Sequence, residues 1–194
     1  MLVEMVPTES EALALAALVR YTEARRPARL DDQGVMVQLS EQDPALWLSS
    51  LIEEADSYLK RAWMLGSLGA RTIQAAIHGT WCWRKSLQEV APWPQILDLY
   101  DALLVHRDDS VIRVNRAVAL AQVAGAEVAL KELATLASKE LDEFLPYHVL
   151  LADLLRQSGR SAEARVAYDA ALALRPGPAE RLWLDQRKKE LSEH

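Results

Sequence analysis

The residue types that catalyse reactions or bind metals are scattered through this chain. Its four histidines stand at positions 78, 106, 148 and 194, and none lies four residues from another or beside a pair of cysteines. Zinc sites need such clusters, so the sequence predicts no metal centre. Cys82 lies between two tryptophans in a predicted helix, which favours a buried thiol over a nucleophile.

Other catalytic patterns are equally weak. The sequence contains no glycine-rich phosphate loop and no serine flanked by glycines. Adjacent carboxylates occur at 53–54 and 108–109, but neighbours on a helix point about 100° apart and do not form an acid/base pair. We therefore expect neither an enzyme nor a cofactor. An enzyme or a small-molecule sensor is kept as a minor alternative to the protein-binding functions considered below. Its pocket would be lined by His78, Trp81 and His148.

A group of arginines marks the expected end of the first helix and precedes an acidic pair. Two interpretations are open: the arginines complement the helix dipole and pair with the acidic loop, or they anchor an acidic partner surface. The candidate protein-contact residues are Arg25, Arg26, Arg29 and Asp31. The six tryptophans are expected to lie mostly in the core, and one or two exposed ones would mark a docking face.

Composition predicts the elements that must position these residues. The 194 residues include 32 Leu and 30 Ala but only 14 Val and 5 Ile, which predicts an all-α fold. The net charge of −6 is divided evenly, −3 before and −3 after residue 97, so neither half is basic enough to neutralise phosphates and we expect no direct nucleic-acid contact. A single cysteine, no signal peptide and no membrane-spanning stretch favour a cytoplasmic protein that does not contact membranes.

Local signals predict several elements. A capping-box spacing at Thr8 begins a first helix that ends near residue 26, before a proline. Alternating apolar residues predict a short β-hairpin or extended loop near 29–39. Asp43-Pro44 is expected to cap a second helix, and further helices are predicted at 71–85 and 95–105.

A helical repeat is legible in the C-terminal half. Residues 145–177 fit the 34-residue tetratricopeptide (TPR) pattern, in which small residues let two antiparallel helices approach closely and a glycine turns the chain. The signature residues are Ala152, Gly159, Ala164, Tyr168, Ala171 and Pro176. Residues 111–137 carry a degraded copy. We therefore predict a TPR-like right-handed solenoid over 67–194 with a C-terminal capping helix, preceded by a helical part at 1–66, in one continuous domain.

Several short motifs, taken together in this order, resemble one known family. They are EARRPAR (23–29), EQD (41–43), QAAI (74–77), LYDAL (99–103), VNRAVA (114–119), YH (147–148), ADLLR (152–156) and AER (179–181). Together they resemble the TPR-containing C-terminal extension of bacterial extracytoplasmic-function (ECF) sigma factors, over nearly the whole chain. Trp81 and Ser110 depart from the expected His and Pro.

The resemblance implies a regulatory module of the transcription machinery. The segments that bind core RNA polymerase and read the promoter are absent from this sequence, so we expect a fragment, with a naturally separate protein as the alternative. The expected function is non-catalytic protein binding, with the sigma factor's own promoter-binding regions, core polymerase or another regulator as partner. The competing hypothesis is a stand-alone TPR scaffold that binds a peptide or protein.

Overall fold

The regular secondary structure of the described residues is helical, so this part of the chain belongs to the all-α class. A computed structural model describes residues 9–66, 69–136 and 139–191, and within these ranges it contains ten α-helices and no strand. This confirms the all-α prediction from the leucine and alanine content. Thr8, the expected capping residue, lies outside the described residues. In the described ranges, no helix is both long enough and apolar enough to cross a bilayer.

Two compact units divide the chain, the first formed by residues 9–29 and 37–108 and the second by residues 30–36 and 109–191. The sequence-based division into 1–66 and 67–194 differs from this arrangement. The reason is that the helices following residue 69 pack with the first helix and belong to its unit.

Four helices build the first unit. They are α1 (Glu9–Ala24), α2 (Ser49–Met64), α3 (Ala70–Cys82) and α4 (Trp93–His106). Helix α1 packs against both α2 and α3, and α4 packs against α3. The interface consists largely of alanines at 17, 55, 75 and 76, which let the helices approach closely around Tyr21 and Leu59. The core of this unit therefore lies where α1, α2 and α3 meet.

The second helix begins later than the sequence predicts. The carboxylate of Asp43 does act as a cap, accepting from the backbone N–H of Ala45 at 2.9 Å, but it caps a single 3₁₀ turn, Pro44–Leu46. Helix α2 starts only at Ser49, after Trp47 and Leu48 have adopted extended backbone. Asp43-Pro44 therefore does cap a helical element, but this element is the 3₁₀ turn and not the α-helix.

The segment near 29–39 forms a loop and not a pair of strands. A single antiparallel bridge joins Leu30 to Met36, and a 3₁₀ turn follows at Leu39–Glu41. Gly34 makes the reversal at φ 78°, a backbone conformation that glycine adopts without a steric penalty. The sequence allowed a short β-hairpin or an extended loop. The described residues form a loop that is closed by a single bridge and contains no β-strands.

Six helices build the second unit. They are α5 (Ser110–Ala124), α6 (Ala126–Thr135), α7 (Lys139–Asp142), α8 (Leu145–Gln157), α9 (Ser161–Ala173) and α10 (Pro178–Glu190). Helices α5 and α6 pack together, as do α8 and α9, and α10 packs against α9. Their shared core includes Leu133, Leu154 and Leu184, all almost fully buried. This unit is therefore a succession of helix pairs joined by short turns.

Candidate functional site

A buried polar cluster lies where α1 ends beside α3. Arg25, only 5% exposed, places its Nη2 atom 2.7 Å from Nδ1 of His78 and its Nη1 atom 3.9 Å from the Sγ atom of Cys82. A guanidinium can only donate hydrogen bonds, so Nδ1 of His78 is the acceptor and its ring proton resides on Nε2. His78 and Cys82 are four residues apart on α3, which brings both side chains to the face that meets Arg25.

Burial controls the protonation states in this cluster. Burial, reinforced by the positive charges of Arg25 and Arg29, lowers the pKa of His78 to about 3, so its imidazole is neutral at pH 7. Burial also raises the pKa of the Cys82 thiol to about 11, although the nearby Arg25 acts in the opposite direction. The cluster therefore holds one cation, one neutral imidazole and one protonated thiol, none of which is activated as a nucleophile.

These groups are poorly placed to hold a metal ion. The Nδ1 lone pair of His78 already accepts from Arg25, and a cation beside it opposes the approach of a second positive charge. Among the described residues, no group of three or more His, Cys, Asp or Glu side chains could share a metal. The arrangement is suited to fixing the end of α1 against α3.

In the same unit, a second group of hydrogen-bonded side chains extends from the interior to the surface. The hydroxyl of Tyr21, fully buried, donates to Oδ1 of Asp56, and the indole Nε1 of Trp83 donates to the same oxygen at 3.4 Å. Burial and the hydrogen bond to Asp56 raise the pKa of Tyr21, which keeps its hydroxyl protonated. Trp83 is nevertheless 52% exposed. The two hydrogen bonds to Asp56 thus hold the large side chain of Trp83 in a defined position at the surface.

Two of the six tryptophans are exposed, as a docking face requires. Trp63, 45% exposed, lies seven residues after Asp56 on α2, and that spacing puts the two side chains on one face of the helix roughly 10 Å apart. Exposed Lys60 lies between them on the same side. We call the surface formed by Asp56, Lys60, Trp63 and Trp83 the tryptophan face. Trp47, Trp81 and Trp183 are buried, as expected of core residues.

The structure separates the predicted arginine group into interior and surface residues. Arg25 is buried, so it is not available as a surface contact. Arg29 donates to the backbone oxygen of Thr22 at 2.7 Å and is half-buried. Arg26 remains exposed, 3.8 Å from Glu23. Only Arg26 of these three presents most of its side chain to solvent.

Asp31 also has an internal role. Its carboxylate accepts from the backbone N–H groups of Gln33 and Val35, each at 2.9 Å, which closes the turn at Gly34. The residue belongs to the loop of the second unit and is exposed. Its role as a protein contact stays a prediction.

The hypothetical pocket residues lie in different units. His78 and Trp81 are interior residues of the first unit, where Trp81 packs edge-on against Trp93 with ring centroids 4.8 Å apart. His148 belongs to the second unit, with its Nε2 atom 2.9 Å from the backbone oxygen of Asp142. Each of these rings therefore contacts residues of its own unit.

The repeat residues of the second unit occupy one helix pair. Helices α8 and α9 are joined at Gly159, which has φ 72° and so makes a turn unfavourable for other residues. The side chains between and beside these helices are fully buried: Ala152, Ala164, Tyr168 and Ala171. Pro176 is buried in the connection to α10. These small residues are therefore interior to the α8–α9 pair, and their role as a TPR signature stays a prediction.

Sequence reasoning missed Arg84 altogether and the burial of Arg25, which it had placed at the surface. Arg84, 7% exposed, follows α3 and donates to the backbone oxygens of Ser40, Leu87 and Glu89, thereby holding two loops together. A signal for the other cluster was available, because His78 stands four residues before the only cysteine. Its partner Arg25 is 53 residues away, and no local pattern connects the two.

Comparison with known proteins gives two similarities. Residues 1–63 match the model of a family of unknown function, DUF6596. The uncharacterized protein R00370 of Rhizobium meliloti (strain 1021) is 34% identical over 192 residues, covering 99% of this chain and 45% of that protein. The chain thus spans less than half the length of this relative, and the similarity extends through both units. No solved structure was found to match the chain.

Proposed function

We propose that this chain is a non-catalytic, protein-binding regulatory module of an ECF-type RNA polymerase sigma factor. The observation that carries the binding role is the tryptophan face, where Asp56 anchors exposed Trp83 and exposed Trp63 lies on the same side of helix α2 as Asp56. Tryptophan is enriched at the energetic centres of protein interfaces, and a side chain held in place beforehand loses little entropy on binding. This surface therefore suits a protein partner.

The second unit supports a repeat architecture. Helix pairs α5–α6 and α8–α9 are each joined through a glycine with positive φ, and fully buried alanines lie in both pairs. We propose that these pairs are TPR-like repeats of a right-handed solenoid, with α10 as its cap. Three basic residues, Arg187, Lys188 and Lys189, lie in the last turn of α10 and give the cap a polar surface.

The groups with potential chemistry favour binding over catalysis. Arg25, His78 and Cys82 contact one another in the interior, and the acidic side chain of Asp56 accepts from two ring donors. A catalytic site instead places its reactive groups where a substrate can reach them. The interior cluster of the first unit serves to fix α1 and α3.

The sigma-factor assignment depends on the family resemblance and on size. The relative in Rhizobium meliloti is more than twice as long as the matched region, as expected if this chain corresponds to one module of a larger protein. The proposed partners are the promoter-reading regions of the sigma factor, core RNA polymerase or another regulator. A net charge of −6 suits a module that masks a basic DNA-binding region, over the ~10 Å reach of charges at physiological salt. The proposed location is the cytoplasm.

A binding experiment with purified components tests this proposal. The chain, labelled with a fluorophore, is titrated with core RNA polymerase and, separately, with the promoter-reading regions of an ECF sigma factor. We expect saturable binding to one of them, weakened at least tenfold by Trp83→Ala and unchanged by Val166→Ala, since Val166 is 70% exposed and belongs to the second unit. Absence of binding to both proteins overturns the assignment.

A transcription experiment tests the regulatory role. Core polymerase and the sigma regions are combined with and without the chain, and promoter-specific transcripts are measured. A change in transcript yield with wild type, and a smaller change with Trp83→Ala, supports regulation through the tryptophan face. Identical yields in all three reactions contradict it.

A stand-alone TPR scaffold is the second candidate, favoured by the α8–α9 pair. Its two 13-residue helices, its glycine turn and its buried alanines are those expected of a TPR repeat. Such a repeat could bind a partner that has no role in transcription. The same titrations discriminate the two functions. If the chain binds neither polymerase nor the sigma regions but does bind an unrelated purified protein, the scaffold function is favoured.

A further inference from the structure

A seven-residue segment of the second unit comes from the middle of the first unit's sequence. Residues 30–36, which we call the strap, lie between two segments of the first unit along the chain but pack with the second unit. The side chain of Val35 is 5% exposed and belongs to the apolar core that includes Leu133, Leu154 and Leu184. The backbone N–H of Met36 donates to the backbone oxygen of Ala179 in α10 at 3.3 Å.

The strap keeps its shape largely through contacts within itself. The backbone N–H of Asp31 donates to Val35 O at 3.0 Å, and that of Gly34 donates to Asp31 O at 3.1 Å. The Asp31 carboxylate accepts from Gln33 and Val35. The turn is therefore organised independently of the surface on which it lies, so it can leave that surface without losing these hydrogen bonds.

The surface under the strap has the features of a peptide-docking site. It offers an apolar recess for a β-branched side chain and a main-chain acceptor, Ala179 O, for the next backbone N–H. Peptide recognition commonly combines such a side-chain pocket with main-chain hydrogen bonds. At the same time, residues 31–33 of the strap are exposed, so its outer side can be approached from solvent.

We propose that this recess is a peptide-docking site which the strap occupies in cis and thereby blocks. The matching partner is a protein segment that, like the strap, presents a valine or isoleucine after an aspartate-containing turn, followed by a free backbone N–H. Such a segment binds after Val35 withdraws. The strap's covalent tether gives it a high local concentration, so a competing segment must overcome that advantage. This inference does not depend on the role in transcription.

A synthetic peptide tests the proposal directly. The probe is the peptide Ala28–Gln38, titrated into the isotope-labelled full chain while backbone amide signals of α10 are followed by NMR. In Val35→Asp the chain's own strap cannot fill the apolar recess. We expect the peptide to shift the α10 signals of Val35→Asp at concentrations at least tenfold lower than in wild type. Val90→Asp, a matched change at an exposed valine, is expected to behave as wild type.

Further measurements keep the test decisive. A peptide with aspartate in place of Val35 must not bind either chain. Equal peptide binding by wild type and Val35→Asp, or no binding to either, overturns the proposal. If Val35→Asp does not fold, Val35→Ala is examined by hydrogen exchange. The Met36 amide is then expected to exchange at least tenfold faster than in wild type while the Tyr168 amide is unchanged. Joint acceleration of both amides, or of neither, also overturns the proposal.

Discussion

The guanidinium of Arg25 donates to Nδ1 of His78 at 2.7 Å inside the first unit, so a permanent cation and an imidazole share one buried space. The contact requires an unprotonated Nδ1, because a guanidinium has no lone pair to accept a proton in return. Protonating His78 would place a second positive charge beside the first. The relationship thus joins the packing of α1 on α3 to the charge state of one histidine.

Acid should destabilise the first unit through His78. Its pKa is about 3 in the folded chain and about 6.5 when unfolded. The unfolded state therefore binds more protons between these values, and stability falls as the pH drops from about 6.5 towards 3. From pH 7 to pH 5 the free energy of unfolding should decrease by roughly 2 kcal/mol from this residue alone. Urea unfolding at the two pH values measures the change.

His78→Gln supplies the variant for that experiment. The amide oxygen of glutamine can accept from Arg25 but does not titrate, so the pH-dependent loss should shrink by most of its size. His148→Gln is the matched control, because His148 belongs to the second unit and its ring is part-exposed. An equal loss between pH 7 and 5 in wild type and His78→Gln would falsify the assignment.

Gly79→Ala should lower stability even though alanine favours helices. A Cβ atom at Gly79 of α3 would lie 2.9 Å from the hydroxyl oxygen of Tyr21, whose position is fixed by Asp56. We expect the overpacking to cost about 1–3 kcal/mol, which a gain of about 1 kcal/mol from helix propensity reduces to a net loss of up to about 2 kcal/mol. Thermal and urea unfolding provide the measurement.

Tyr21→Phe separates the clash from other causes. Removing the hydroxyl takes away the closest atom, so Gly79→Ala should cost less in the Tyr21→Phe background than in wild type. Gly177→Ala is the control, since a Cβ there would meet Glu180 at an ordinary 3.5 Å. Additive effects of Gly79→Ala and Tyr21→Phe would show that the two positions do not compete for space.

Composition and periodicity predicted the helical class and one helix pair. The pairing of two helices within 145–177 and the turn at Gly159 follow from residue pattern because an alanine stripe and a glycine act locally. The start of α2 was misplaced because Asp43-Pro44 has the same local chemistry at the head of a 3₁₀ turn as at the head of an α-helix. Only the chain that follows decides between the two.

The candidate site was less predictable for a different reason. Arg25 and Arg26 are adjacent and chemically identical, yet one is buried and the other exposed. What separates them is the contact with His78, which lies on another helix. Likewise, Trp81 is buried and Trp83 is half exposed, a difference set by the direction in which each leaves α3. Such differences depend on tertiary packing and have no local signal.

Ala171→Leu should disrupt the α8–α9 pair. Ala171 is fully buried on α9, and three additional carbon atoms would force the helices apart or the new side chain out of a favoured rotamer. We expect a loss of about 1–3 kcal/mol. Ala173→Leu, two residues later on the exposed side of the same helix, should change stability by less than about 0.5 kcal/mol. Similar losses for both variants would contradict close packing at Ala171.

Asp56 should contribute to partner binding by positioning Trp83. Its carboxylate accepts from the indole of Trp83, so Asp56→Ala frees the ring to adopt other rotamers and raises the entropy lost on binding. Trp83→Ala removes the aromatic contact itself and should weaken binding at least tenfold, or about 1.4 kcal/mol. In the Trp83→Ala background, Asp56→Ala should then weaken binding no further, because the side chain that it positions is gone.

A double-mutant cycle in the fluorescence titration measures this coupling. The loss from Asp56→Ala alone is expected to be smaller than that from Trp83→Ala, and the double variant should match Trp83→Ala. Glu53→Ala, which removes an exposed carboxylate from the same helix α2, controls for the change in charge. Because Asp56 also accepts from Tyr21, unfolding is measured in parallel, and binding is compared only where each variant is folded. Additive losses would mean that Asp56 contacts the partner itself, independently of Trp83.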